Sequence, residues 1–236
     1  MLRIRTFRAI DDLESCQRFA QGHANVLLDY GITKVTSSRN DWFYNPDVYV
    51  AIVETDDGSE VVGGERIHLV NGINPLPIED AVSIVEKRIH ALVAGYADGK
   101  ITGEICGLWN SKSIAGRGVS LLLTKLGVAM ANVMGMDSMF VLCAPYTVSL
   151  CQSAGFVIET SIGDKGTFIY PKLDLIATAL VVKDLETLSQ ADPVVREEIN
   201  RFIENRNSTV TVHGSKGITE LAYNISLPKL KGHNVS

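Results

Sequence analysis

The chain of 236 residues is long enough for one substantial hydrophobic core with a smaller appendage. Hydrophobic residues make up 46% and charged residues 21% of it, the balance of an ordinary globular protein. A net charge of −5 gives no electrostatic basis for binding nucleic acid, and no run of about eighteen apolar residues predicts a membrane span. Its 4 cysteines show no CxxC pair and no histidine at metal-ligand spacing, which predicts reduced thiols in a cytoplasm and no metal site.

The N-terminal part of the chain predicts alternating strands and helices. Alternating apolar residues indicate strands, and acidic residues at 11 and 12 favour the start of a helix. In chain order we expect a strand at 2–7, a helix that ends at Gly31, a loop with an aromatic cluster at 33–46, strands at 48–55 and 60–71, and a helix at 81–99.

The C-terminal part predicts a second set of elements and an extension. From residue 184 onward the pattern changes to a helix with Pro193 at its first position, followed by a hairpin. This piece is too small for a core of its own, so the predicted division is a main domain at 1–183 and an extension at 184–236 that packs on it. The expected elements are a strand at 102–110, a helix at 118–135, a strand at 138–145, a short helix at 147–155, further strands between 156 and 182, a helix at 191–207 and a hairpin at 208–227.

The stretch IAGRGVSLLL, residues 114–123, places two glycines one residue apart before a long apolar helix. It has no Walker loop, and Leu121 stands where a dinucleotide fingerprint needs its third small residue. Two interpretations remain open on these residues. The glycines form a tight turn into a helix, or they allow a phosphate to approach the amides of residues 116–119.

Three segments give the chain a resemblance to the GNAT acyltransferase superfamily. They are SIAGRGVSLLLTKLGVAMANVMGM, SMFVLCAP and YTVSLCQSAGFVIE, and with the order of elements the resemblance covers about residues 1 to 180. VVGGERIHLVNGINPLPIED followed by GEICGLWN resembles the branch of acyl-homoserine-lactone synthases and long-chain N-acyltransferases. The resemblance implies an α/β fold, with a mixed, twisted sheet, helices on both faces and a small C-terminal α+β extension.

The resemblance also implies an acyl donor, either acetyl-CoA, a longer acyl-CoA or an acyl carrier protein, bound between the strands at 102–110 and 138–145. Its pantetheine would pair with the first strand and its pyrophosphate would meet the glycine loop. Two positions depart from the family pattern: Ser113 replaces an Arg or Gln, and Cys151 replaces the frequent general-acid Tyr. The donor-binding residues implied are Leu108, Trp109, Asn110, Ser113, Ala115, Gly116, Arg117, Gly118, Val119 and Ser120.

Five residues are candidates for catalysis or acceptor binding. Glu104 is a candidate base because its apolar neighbours would raise its pKa, although an outward-facing carboxylate fits equally. Tyr146 and Cys151 are candidate proton donors to the leaving thiolate, with simple packing as the alternative for Cys151. Glu65 and Trp42 are candidate acceptor-binding residues, and an ordinary surface carboxylate and a core aromatic are the alternatives.

The function predicted is acyl transfer to a small-molecule amine or amino-acid-like acceptor by direct attack on the thioester. A homodimer is left open, and no nucleic acid partner is expected. Two other classes remain: a GNAT-like acyl-CoA-binding or sensory module without catalysis, and an assembly protein that pairs through its C-terminal hairpin.

Overall fold

A computed structural model describes residues 1–29, 31, 40–170 and 175–230 of the chain. The predicted loop at 33–46 and the end of the predicted extension at 184–236 therefore lie partly outside the described residues. The helices are α1 (Leu13–Asp29), α2 (Pro77–Val82), α3 (Arg88–Ala97), α4 (Val119–Met134), α5 (Val148–Ser153) and α6 (Pro193–Glu204). The strands are β1 (Leu2–Arg8), β2 (Val48–Thr55), β3 (Val61–Leu69), β4 (Thr102–Asn110), β5 (Ser138–Cys143), β6 (Val157–Ile158), β7 (Thr167–Tyr170), β8 (Leu175–Val182), β9 (Asn207–Gly214) and β10 (Gly217–Asn224).

All of these strands belong to one mixed sheet. Its order is β6-β8-β5-β4-β3-β2-β1-β10-β9, and β7 also pairs with β8. The pairs β4–β5 and β1–β10 are parallel, and the other pairs are antiparallel. The mixed sheet expected from the sequence is confirmed.

Helices cover both faces of this sheet, as strand alternation on β4 makes clear. The side chain of Ile105 points to Gly127 in the middle of α4, whereas Glu104 points the other way and meets the backbone of Ile78 in α2. The α4 face, which also carries α5 and α6, holds the largest apolar cluster. The opposite face holds two smaller clusters, one under α1 and one under α2 and α3.

The single helix predicted at 81–99 is wrong, because two helices occupy this region. Pro77 starts α2 four residues earlier than expected, where its fixed φ and missing N–H suit the first helical position. Residues 83–87 then leave the helix. The carboxylate of Glu86, just before the N-cap Lys87, accepts a hydrogen bond from the amide of Arg88, the first residue of α3, at 3.1 Å.

The C-terminal hairpin is part of the main sheet. Strand β10 pairs in parallel with β1, with Leu221 opposite Leu2, and β9 forms the outer edge. Because β10 begins at Gly217, four residues before that pair, the tip of the hairpin extends past the start of β1. On the α4 face, α6 packs against α4, and Lys125 forms an ion pair with Glu198. The division of the chain at residue 183 stays a prediction.

Candidate active site

Strands β4 and β5 form a parallel pair only at their beginnings. Thr102 lies opposite Ser138 and Glu104 opposite Phe140, where the pairing ends. Strand β4 continues to Asn110, whereas the rest of β5 pairs with β8 on its other side. The two strands therefore separate after Glu104, and this leaves one edge of β4 free to pair with an extended ligand.

A bulge in β4 lies beside this opening. Gly64 pairs with Trp109 and Arg66 pairs with Cys106, so two residues of β4, Gly107 and Leu108, lie opposite one residue of β3. Gly107 has a φ of 59°, which glycine adopts without steric cost. The bulge turns the end of β4 away from its regular course and leads it toward the glycine loop.

The loop at 111–118 enters α4 through two left-handed glycines. Gly116 has a φ of 79° and Gly118, the N-cap of α4, a φ of 82°. The amides of Gly116, Gly118 and Val119 donate to no acceptor among the described residues. The side chain of Asn110 bonds to Ser120 and ties the end of β4 to the first turn of α4. Free amides at the start of a helix favour an anion.

The sides of these glycines face the tip of the C-terminal hairpin. A Cβ on Gly118 would lie 2.9 Å from the carbonyl oxygen of His213, and one on Gly116 would lie 3.0 Å from the Cγ of Lys216. The amide of Lys216 donates to the carbonyl oxygen of Gly116 at 2.9 Å. The glycines thus make room for another part of the protein, a role that neither interpretation of the sequence included.

Glu104 is buried on the face opposite α4, with a relative exposure of 2%. Its Oε2 accepts a hydrogen bond from the amide of Ile78 at 2.7 Å. Burial raises the pKa of Glu104 to about 8, and the Ile78 amide and the charge of Arg66 only partly oppose this shift. A carboxylate that ionises near pH 8 is a suitable acceptor for a proton from an ammonium group.

Arg66 lies on the same face and is also buried, with an exposure of 2%. Its guanidinium carbon is 4.4 Å from the ring centroid of Trp42 and 5.9 Å from that of Phe19. The aromatic rings around it contact one another in edge-to-face pairs that also include Phe43 and Trp109. Arg66 therefore sits as a fixed cation in an aromatic cluster.

A cavity of about 290 Å³ opens beside this guanidinium, between α1 and the short helix at 41–44. Its lining combines amide and imidazole groups with small apolar ones. The lining residues are Gln17, Ala20, Gln21, His23, Ala24, Asn40, Phe43 and Arg66. The combination of one cation, several hydrogen-bonding groups and an aromatic wall suits a small polar molecule with a negatively charged group.

Two further titratable groups lie next to Arg66 and Glu104. The pKa of His68, which pairs with Glu104 across β3 and β4, is lowered well below its usual value by burial and by Arg66. Burial raises the pKa of the Cys106 thiol to about 11. Both groups are therefore uncharged near neutral pH, and Arg66 carries the charge of the cluster.

Glu65 lies on the other face of the sheet. Its side chain has an exposure of 0% and points to α4, where a Cβ on Gly127 would lie 3.0 Å from its Oε1. Neither carboxylate oxygen has a hydrogen-bond partner among the described residues. Burial raises the pKa of Glu65 well above its usual value, because the charged form has lost its water without gaining a hydrogen-bond partner.

The two candidate proton donors differ in their surroundings. Cys151 is buried in α5, and its Sγ lies 3.3 Å from the Sγ of Cys143 at the end of β5. The hydrogen bond to Cys143 and burial both raise the pKa of Cys151. Tyr146 is 85% exposed in the short helix at 145–147 that follows β5. Both residues lie just beyond the end of β5.

The structure thus places the predicted donor-binding residues and the candidates Glu104, Trp42 and Glu65 in three regions. The donor-binding residues of β4 and the loop follow one another along the opening, although the indole of Trp109 packs on α1 instead. Glu104 and Trp42 lie on the α1 and α2 side, and Glu65 lies on the α4 side. Sequence reasoning missed Arg66 as a site residue, because its place beside Glu104 and Trp42 depends on the pairing of β3 with β4 and on packing against residues far away in the chain.

Some features are absent from the described residues. No three His, Cys, Asp or Glu side chains are grouped so as to hold a metal ion there. None of the described helices combines the length and the apolar character that crossing a membrane requires.

Comparisons with known proteins agree on the fold. No protein-family model and no curated protein sequence matches the chain. FeeM, an N-acyl amino acid synthase from uncultured soil microbes, superposes with a TM-score of 0.60 at 15% identity, over 84% of this chain and 98% of that one. BjaI, a CoA-dependent acyl-homoserine lactone synthase with SAM and isopentyl-CoA, gives 0.56 at 14% identity, over 85% and 90%.

A third structure of this kind is an acyl-CoA N-acyltransferase from Pseudomonas aeruginosa, with a TM-score of 0.50 at 12% identity, over 77% of this chain and 99% of that one. These likenesses confirm the GNAT-type acyltransferase fold that the sequence predicted. At such identities they concern the fold alone.

Proposed function

We propose that this chain is an N-acyltransferase that moves an acyl group from acyl-CoA, or from an acyl carrier protein, to the amine of an amino-acid-like acceptor. The observation that carries the proposal is the separation of β4 from β5 directly after Glu104. Three features lie along this opening: a free strand edge, a glycine loop with free amides and a buried carboxylate with a pKa of about 8. Each part has a role in breaking a thioester with an amine.

On the donor side, the free edge of β4 supports pairing with the amide groups of a pantetheine arm. The amides of Gly116, Gly118 and Val119 would then meet the pyrophosphate, at the positive end of the α4 dipole. Arg117, which is exposed in the same loop, adds a cation there. The acyl length that the site accepts is left to experiment.

On the acceptor side, the proposal places the amine near Glu104 and the rest of the acceptor in the cavity beside Arg66. Glu104 takes a proton from the ammonium group, the free amine attacks the thioester carbonyl, and the C–S bond breaks to release the thiol and an amide. Arg66 would bind the acceptor carboxylate, since a buried guanidinium pairs well with that planar anion.

The experiment is a pair of measurements on the intact chain. Thermal melts with CoA, acetyl-CoA and a long-chain acyl-CoA test donor binding, because a ligand at about 100 times its Kd stabilises a protein by about 2.7 kcal/mol. Release of free thiol from each acyl-CoA, with amino acids and with their amides as acceptors, tests transfer. We expect thiol release that depends on the acceptor and is slower with the amide, which has no carboxylate for Arg66.

A second candidate is a GNAT-like acyl-CoA-binding or sensory module without turnover. It is favoured by the state of the proton donors, since Tyr146 is exposed and the pKa of Cys151 is raised by its hydrogen bond and by burial. The same experiment separates the two: the module would show a thermal shift with acyl-CoA and no thiol release with any acceptor. No shift and no release would refute both candidates for a CoA donor.

A further inference from the structure

The C-terminal hairpin and the glycine loop interlock through three glycines. A Cβ on Gly214 would lie 2.2 Å from the carbonyl oxygen of Gly116 and 2.5 Å from the amide nitrogen of Gly118. No side chain fits between the two segments, so their backbones are in direct contact. The hydrogen bond from the Lys216 amide to Gly116, at 2.9 Å, and a longer one from the Ser215 hydroxyl fix their relative position.

This contact brings a cation to the entrance of α4. The alkyl chain of Lys216 runs along Gly116, with its Cγ and Cδ 3.0 and 3.1 Å from the position of a Cβ on that residue. Lys216 and Arg117 are both exposed, and neither has an ion-pair partner among the described residues. The sequence lacks the usual cationic or amide side chain of this loop, because Ser113 occupies its position.

We propose that the tip of the C-terminal hairpin belongs to the donor site. The tip positions the glycine loop, and its Lys216 supplies a cation for the donor phosphates. The inference rests on the proposed function, because it presupposes an acyl donor with a pyrophosphate. The free edge of β4, which ends at this loop, is a separate indication that an extended ligand runs toward it. The extension then contributes to binding of the donor phosphates.

The test measures binding of two compounds to the intact chain by calorimetry. One is CoA, and the other is pantetheine, the arm of CoA without its phosphate groups. Lys216→Ala should weaken CoA binding by about five- to tenfold at about 50 mM salt and by less at about 0.5 M, because salt screens an exposed charge. Lys216→Arg should retain the affinity. Pantetheine binding should be the same in all three proteins.

Lys229→Ala is the matched control. Lys229 belongs to the same extension and lies near Gly135 at the other end of α4. The substitution therefore removes an equal charge far from the glycine loop. Its CoA affinity should equal that of the wild type. Gly214→Ala tests the interlock: a Cβ there must push the hairpin off the loop, so CoA binding should weaken while pantetheine binding does not change.

The outcomes distinguish this inference from the proposed function. If the wild type binds CoA and both Lys216→Ala and Gly214→Ala bind it equally well, the hairpin has no part in the site. If Lys216→Ala weakens CoA and pantetheine to the same extent, the effect is not on the phosphates and the inference also fails. If the wild type binds neither compound, the proposed function itself is refuted.

Discussion

His68 and Glu104 lie directly opposite each other on β3 and β4, and both are buried on the sheet face that carries Arg66. Burial has opposite effects on the two groups: it lowers the pKa of His68 and raises that of Glu104 to about 8. Near neutral pH the imidazole is uncharged and most of the carboxyl group is protonated. Glu104 can therefore accept a proton only as the pH approaches 8, where its carboxyl group begins to ionise.

The first prediction concerns Glu104. Above its pKa of about 8 the carboxylate can take a proton from the acceptor, so kcat/KM should rise with pH and level off above that value. Glu104→Gln should lower kcat by about 10²- to 10⁴-fold and should abolish the step near pH 8. The amine has its own ionisation, which the variant retains and which therefore serves as the internal reference. An unchanged profile in the variant would exclude Glu104 as the base.

The second prediction concerns the coupling of Arg66 to Glu104. The positive charge of Arg66 lowers the pKa of Glu104 and so opposes the effect of burial. Arg66→Met removes the charge at similar length, and the step in the kcat/KM profile should move to higher pH. Arg66→Lys retains a charge, so the step should move less, while the preference for an acceptor with a carboxylate should weaken. A step at the same pH in both variants would contradict the coupling.

The third prediction concerns the stability cost of Glu65. Its folded pKa is raised, so the unfolded chain ionises first as the pH rises above about 4.5, and stability is lost until the folded group ionises too. Glu65→Gln has no such ionisation. The gain in stability of the variant over the wild type should grow by about 1.4 kcal/mol per pH unit between pH 5 and the folded pKa, measured by urea unfolding.

Glu60→Gln is the control for this measurement, because Glu60 is exposed in the turn before β3. Its difference from the wild type should be constant over the same pH range. If Glu65→Gln behaves in the same way as this control, Glu65 is ionised in the folded protein and the burial argument is wrong.

The fourth prediction compares two helical glycines. Nothing lies within 4 Å of a Cβ on Gly95 in α3, so Gly95→Ala should stabilise the protein by about 0.5–1 kcal/mol through helix propensity. A Cβ on Gly127 in α4 would lie 2.2 Å from the Cδ1 of Ile105. Gly127→Ala should therefore destabilise by about 1–3 kcal/mol. Thermal melts decide the signs, and equal signs would show that α4 shifts to accept the methyl group.

Local patterns in the sequence were enough to predict most elements of the fold. Strands β2 and β4 begin and end at the predicted residues, and α4 lies between the two predicted glycines, Gly118 and Gly135. Alternation, helical spacing and left-handed glycines act over a few residues, so they are visible in one sequence. The single helix predicted at 81–99 was wrong because residues 83–87 leave the helix within an otherwise continuous apolar pattern, and Glu86 there accepts hydrogen bonds from the amides of Arg88 and Gly163.

The sequence by itself determined the order of the elements, the glycine loop before α4 and the GNAT-type fold that they resemble. Only the tertiary structure decided which residues meet. The pairing of β3 with β4, in which Arg66 lies opposite Cys106 and His68 opposite Glu104, puts Arg66 on the same face as Glu104, and the parallel pairing of β10 with β1 brings Lys216 to Gly116. The physical reason is that such contacts join residues far apart in the chain, and their geometry depends on the twist, bulges and register of the whole sheet.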